Sequence, residues 1–118
     1  MPGFPKDGGK KLIHRRVDID VADGVSVILE ANPARLRVQM FNDAGIGSAC
    51  TVYVGNYVDV NAAALAAANG WPLRSGLDRT IAKVKEHPNL LTLYTKDTVY
   101  GIAIGADGYV KMLEELMA

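Results

Sequence analysis

From Ile13 to Val21 the apolar residues keep to one parity: Ile13, Val17, Ile19 and Val21 fall on one side, and His14, Arg16, Asp18 and Asp20 on the other. A period of two is that of a half-buried β-strand. Ala22-Asp23-Gly24 is a turn signal, and VSVILEA after it predicts the return strand of a hairpin. Asn32-Pro33 then interrupts the pattern, because proline removes a ladder donor and drives the residue before it out of helical geometry. The cleanest alternation follows in RLRVQMFN, with Leu36, Val38 and Met40 inward and Arg35, Arg37 and Gln39 outward. DAGIGS turns the chain, and Cys50, Val52 and Val54 resume the inward face. This predicts a second hairpin, with Leu36, Val38, Met40, Val52 and Val54 in one core.

The stretch from Thr51 to Gly76 begins as a strand and passes into NAAALAAANG. Asn61 suits a helix N-cap, the alanines have high helix propensity, and Asn69-Gly70 suits a left-handed end, so one short helix is expected over 61–69. The segment 76–87 fits both helix and strand spacing and is read as a strand. LLTLYT, TVYGIAI and YVKMLEE are short β-type runs separated by Lys-Asp and by Gly-Ala-Asp-Gly, the punctuation of a meander. About eight short strands at this spacing predict an all-β chain, an antiparallel β-sandwich, jelly-roll-like or a small barrel. The first ten residues, with two prolines, three glycines and three charges, are read as an extended N-terminal arm, residues 1–10. Residues 11–118 are read as a single β-sandwich domain.

Charge adds little to this picture. Lys plus Arg and Asp plus Glu both number 13, so no long-range field draws the chain to nucleic acid or an anionic membrane. No apolar run reaches the roughly 18 residues of a membrane span, and the chain is read as soluble, with neither nucleic acid nor membrane as a partner. Cys50, the only cysteine, excludes an internal disulfide and is read as a small buried hydrophobe.

The candidate chemistry is sparse. His14 and His87 have no partner at metal-ligand spacing and are read as surface residues. DIDVADG approaches a calcium-loop pattern, but its third Asp is displaced by one residue and no closing glutamate follows, which favours a charged turn. Gly45-x-Gly47 lacks the third glycine and the helix that a phosphate site needs. No nucleophile sits in a strained turn, so the chain is read as not an enzyme, with no catalytic residue, metal or cofactor. The aromatics Tyr53, Tyr57 and Trp71 can stack on sugar rings, or anchor an interface. Phe4 on the arm, Arg35 and Arg37 on a strand face, Tyr57, and Trp71 beside Pro72 are the candidate protein-interface residues.

Four segments in succession, ILEANPARLRVQMFNDAG, CTVYVG, ANGWPLRSG and VYGIAIGADGYVKMLEE, resemble small β-sandwich structural proteins of tailed bacteriophages. The likeness covers roughly residues 28 to 116; the alanine-rich run and the charged segment from Asp78 to His87 depart from it. The resemblance implies a virion protein assembled in the host cytoplasm: a capsid decoration or cement subunit, a dimer or trimer that binds the major capsid protein or another virion protein. A carbohydrate- or receptor-binding module of a phage head fibre or tail is the alternative. In either reading the resemblance supplies no catalytic residue.

Overall fold

The computed structural model describes residues 10–44, 49–74 and 90–117. Among these residues the alternating runs become eight strands: β1 (Lys10–Ile19), β2 (Val25–Leu29), β3 (Arg35–Asn42), β4 (Thr51–Gly55), β5 (Trp71–Arg74), β6 (Leu91–Leu93), β7 (Val99–Ile104) and β8 (Gly108–Met117). They form two four-stranded antiparallel sheets, ordered β1-β8-β3-β6 and β2-β7-β4-β5. This is the jelly-roll form of the expected all-β sandwich, in which the chain passes repeatedly between facing sheets. Residues 1–9 of the arm, with Phe4, the Gly45–Gly47 turn, His87 and the strand expected over 76–87 lie outside the described residues, while Lys10, the arm's last residue, already pairs with Met117 in β1.

The core lies between the sheets. Val38 and Met40 of β3, Val52 and Val54 of β4, and Val110 and Met112 of β8 are buried together with Ile19, Leu73 and Leu91. Inward and outward positions alternate as the pattern requires, which places Arg37 and His14 on the exposed side. Leu36 does not join this core; it is half-buried.

Neither expected hairpin forms. β1 pairs with β8 from Lys10↔Met117 to Ile19↔Gly108, and β2 pairs with β7. β3 lies between β8 and β6, while β4 pairs with β7 and β5. The supposed terminal meander is likewise divided, with β6 and β8 in one sheet and β7 in the other. A turn signal reverses the chain, but a reversal serves a crossover between stacked sheets as well as a hairpin, and the crossovers bury every inward face against a facing sheet. At Val21–Asp23 the crossing is a 3-10 turn capped by the Asp20 carboxylate, which accepts from the Ala22 amide.

The alanine-rich excursion forms two helices, α1 (Tyr57–Val60) and α2 (Ala63–Asn69), between the paired strands β4 and β5. Asn61 closes α1, and Ala62 stands at the start of α2. Gly70 is extended at φ −76° rather than left-handed. Glycine serves there because a Cβ would stand 2.8 Å from the Ala66 carbonyl and 2.9 Å from Tyr53 and Val60. Val60 and Ala66 pack on Ile102, flanked by Val25, Tyr53 and Tyr100. The excursion therefore covers the outer face of its own sheet, and the small alanine side chains let the helix axis lie close to it.

Arg35 departs most from expectation. Its pairing with Leu116, while Arg37 pairs with Glu115, marks a bulge in β3. One extra residue reverses the facing of everything before it, so Arg35 turns inward and is fully buried. Its Nε donates to Glu114 Oε2 at 2.7 Å, and Glu114 is also buried. Its remaining nitrogens donate to the carbonyls of Thr95 at 3.1 Å, Asp97 at 3.0 Å, and Glu30. Arg35 is thus a tie between four segments and offers no protein-interface surface.

Candidate functional site

Three separate stretches meet at the margin where the edge strands β5 and β6 face each other. The alternation of β5 puts Trp71 on the same side as the fully buried Leu73, but Trp71 sits at the end of an edge strand and remains 61% exposed. It borders a groove of about 620 Å³ whose floor is apolar, with Val54, Leu91, Leu93 and Val99. That volume falls within the range of small-ligand sites, about 300–1,000 Å³.

The rim is polar. Asn56 and Asp59 come from the start and first turn of α1, Asn69 from the last residue of α2, and Thr95, Asp97 and Thr98 from the connection between β6 and β7. Among the described residues no Lys, Arg or His lines the groove, and the formal charges they bring to it are the carboxylates of Asp59 and Asp97. Among the described residues neither carboxylate is held in an ion pair or a side-chain hydrogen bond, and Asn56 makes no cap bond to its helix. These groups are left facing solvent with acceptors and donors to offer.

The rim is held from behind. Arg35 donates to the Thr95 and Asp97 carbonyls, and Lys96 Nζ donates to the Arg35 carbonyl at 2.6 Å. The Asn32 amide donates to the Lys96 carbonyl at 2.9 Å, and the Thr95 hydroxyl accepts from the Asp97 amide at 3.0 Å. A loop tied at this many backbone positions presents its side chains from a fixed platform. Burial pushes the Glu114 carboxyl up, but the hydrogen bonds and charges of Arg35 and Arg15 outweigh it and hold the group below its ordinary range.

The candidate interface residues do not converge. Trp71 borders the groove. Tyr57 opens α1, is 51% exposed, and stacks edge-to-face on Tyr100 with centroids 5.3 Å apart. Arg37 lies on the outer face of the first sheet, its Nε 2.8 Å from Glu115 Oε2. That outer face also carries a hollow of about 420 Å³ lined by His14, Gln39, Phe41, Lys111 and Leu113. Phe41 and Leu113 are half-buried there with no helix above them among the described residues. Tyr109 completes the face, with the Arg16 guanidinium 5.2 Å from its ring centroid.

Sequence reasoning passed over Asn56, Asp59, Asn69, Thr95 and Asp97. Their usable signal was a set of small polar residues placed directly at strand and helix ends beside an exposed aromatic. At the opposite end, Asp18, Asp20, Asp23 and Asp107 gather, with Asp20 and Asp107 accepting from the Ala22 and Val21 amides. Among the described residues no group of His, Cys, Asp and Glu is arranged to hold a metal ion. No helix among them is long and apolar enough to cross a membrane. Cys50 is buried, its thiol accepting from Asn42 Nδ2 at 3.5 Å, and burial pushes its pKa up.

No family model matches the chain, and no curated protein does. Among solved structures, one described as "Bacillus endospore appendages form a novel family of disulfide-linked pili" is similar at a TM-score of 0.46 and 16% identity, with 98% of this chain and 96% of that chain covered.

Proposed function

We propose that the chain is a non-enzymatic structural subunit of a tailed-phage virion, a decoration or cement protein that docks on the capsid lattice through the open face of its first sheet. The observation that carries this reading is the asymmetry of the sandwich. One outer face is covered by α1 and α2, whereas the other carries Phe41 and Leu113 among Arg37, Lys111 and His14 with no cover among the described residues. An apolar centre inside a charged rim is the make-up of a protein-contact surface. Support also comes from the ordered motifs shared with phage β-sandwich proteins and, as a fold-level analogy, from the use of jelly rolls in viral capsids. In this reading the subunit is a dimer or trimer, and its partner is the major capsid protein or another virion protein.

Purified particles from a host carrying the gene test it. The chain is expected in the particle at stoichiometric copy number, located in electron-microscopy density with β3 and β8 toward the lattice. Arg37→Glu combined with Phe41→Ser should free it from the particle while far-UV circular dichroism stays unchanged. Absence of the chain from the particles, or attachment indifferent to both substitutions, refutes the reading.

A further inference from the structure

The groove at the β5–β6 margin is chemically unlike the open sheet face, and its occupant must satisfy three features at once. It meets an exposed indole, an aliphatic floor, and a rim of carboxylates, amides and hydroxyls with no cation among the described residues. A pyranose ring meets all three. Its axial C–H face is apolar and stacks on an aromatic plane, while its equatorial hydroxyls both donate and accept around the edge. Planar carboxylate and amide groups can hold neighbouring hydroxyls two at a time.

A peptide strand fits less well. Strand addition needs a long open edge, but β6 has three residues and β5 four, with Pro72 removing a backbone donor. Charge narrows the choice further. Asp59 and Asp97 on the rim, with no basic residue to offset them among the described residues, repel an anionic sugar.

We propose that the Trp71 groove binds a short, uncharged glycan, with Trp71 stacking on one ring and Asp59, Asp97, Asn56 and Asn69 hydrogen-bonding its hydroxyls. This goes beyond lattice docking and does not depend on it, because the groove and the open sheet face are lined by different residues. The rim loop is held in place by the buried Arg35, so the site is formed before the ligand arrives. Jelly-roll domains serve lectins as well as capsids, which makes the proposal compatible with the fold as an analogy only.

Trp71 is the only tryptophan, so intrinsic fluorescence reports on the groove itself. The full chain is first applied to a glycan array. Titrations then follow with maltotriose, cellotriose, lactose and tri-N-acetylchitotriose, and with 3′-sialyllactose as the anionic counterpart. The expected result is selective retention of neutral glycans and a saturable shift of Trp71 emission with at least one neutral probe. By calorimetry, Trp71→Ala should weaken that probe at least tenfold, about 1.4 kcal/mol. Trp71→Phe should lose less, and Asp97→Ala should weaken binding with the circular dichroism spectrum intact. An array that retains no neutral glycan overturns the proposal, as does preference for sialyllactose or binding indifferent to Trp71→Ala. Saturation of the Trp71 signal by a synthetic peptide of residues 1–11, with no response to sugars, overturns it too and assigns the groove to the chain's own N-terminal segment.

Discussion

Replacing Arg35 by methionine keeps much of the side-chain length and removes the charge. Four donations disappear: one to Glu114 at 2.7 Å and three to the carbonyls of Thr95, Asp97 and Glu30. Glu114, whose side chain is 1% exposed, is left with Arg15, 2.8 Å away but 45% exposed and screened by water. A buried charge deprived of its buried partner costs about 3–5 kcal/mol, and three carbonyls without donors push the value toward the upper end. Small domains have about 5–15 kcal/mol in total, so the variant should lie close to unfolding. Urea titration at neutral pH, followed by far-UV circular dichroism, measures the loss. Arg35→Met combined with Glu114→Leu removes both charges and should recover a large part of it, since a buried ion pair often stabilises no more than apolar side chains of similar size. A loss below about 1 kcal/mol in the single variant, or a double variant no more stable than the single, refutes the assignment of Arg35 as the tie between these segments.

The remaining expectations follow from the same structure. Glu114 has a folded pKa below its unfolded one, so its contribution is complete above the ordinary carboxylate value, about 4.3, and is lost as pH falls through the folded value. Acid titrations of stability should therefore show a fall in that window that is shallower in Glu114→Gln. Gly105 has φ +94°, and a Cβ would stand 2.3 Å from the Ala49 carbonyl, whereas Gly24 has φ +71° with nothing within 4 Å. Gly105→Ala should cost about 1–3 kcal/mol more than Gly24→Ala in urea titrations, the difference isolating the clash from the backbone strain that both share.

Local patterning revealed the strands but not their partners. The inward run of Val38 and Met40, and that of Val52 and Val54, read directly from a period of two, since side-chain alternation is a property of one strand alone. Pairing depends on where the chain goes after each turn, and Ala22-Asp23-Gly24 looks the same whether it closes a hairpin or carries the chain to the opposite sheet. Arg35 escaped the reading because a bulge of one residue changes the parity of a strand without changing its composition. Trp71 was legible as an exposed aromatic stiffened by Pro72. Its polar neighbours were not, because Asp59 and Asp97 lie far apart in the chain and meet only through the pairing of β4 with β7 and the folding back of α1.

The place of β8 governs the order in which the molecule can be made. It is the last of the described strands, yet it sits between β1 and β3, pairing with β1 along ten positions and with β3 along seven. The first sheet has no middle until residues 108–117 have been synthesised and have left the ribosome. Until then β1, made first, must wait with both edges open, and Arg35 has no Glu114 to neutralise it. Such distant pairing slows folding and leaves strand edges available to neighbouring nascent chains. A ribosome that stalls before codon 108 releases a chain that lacks a central strand of its first sheet.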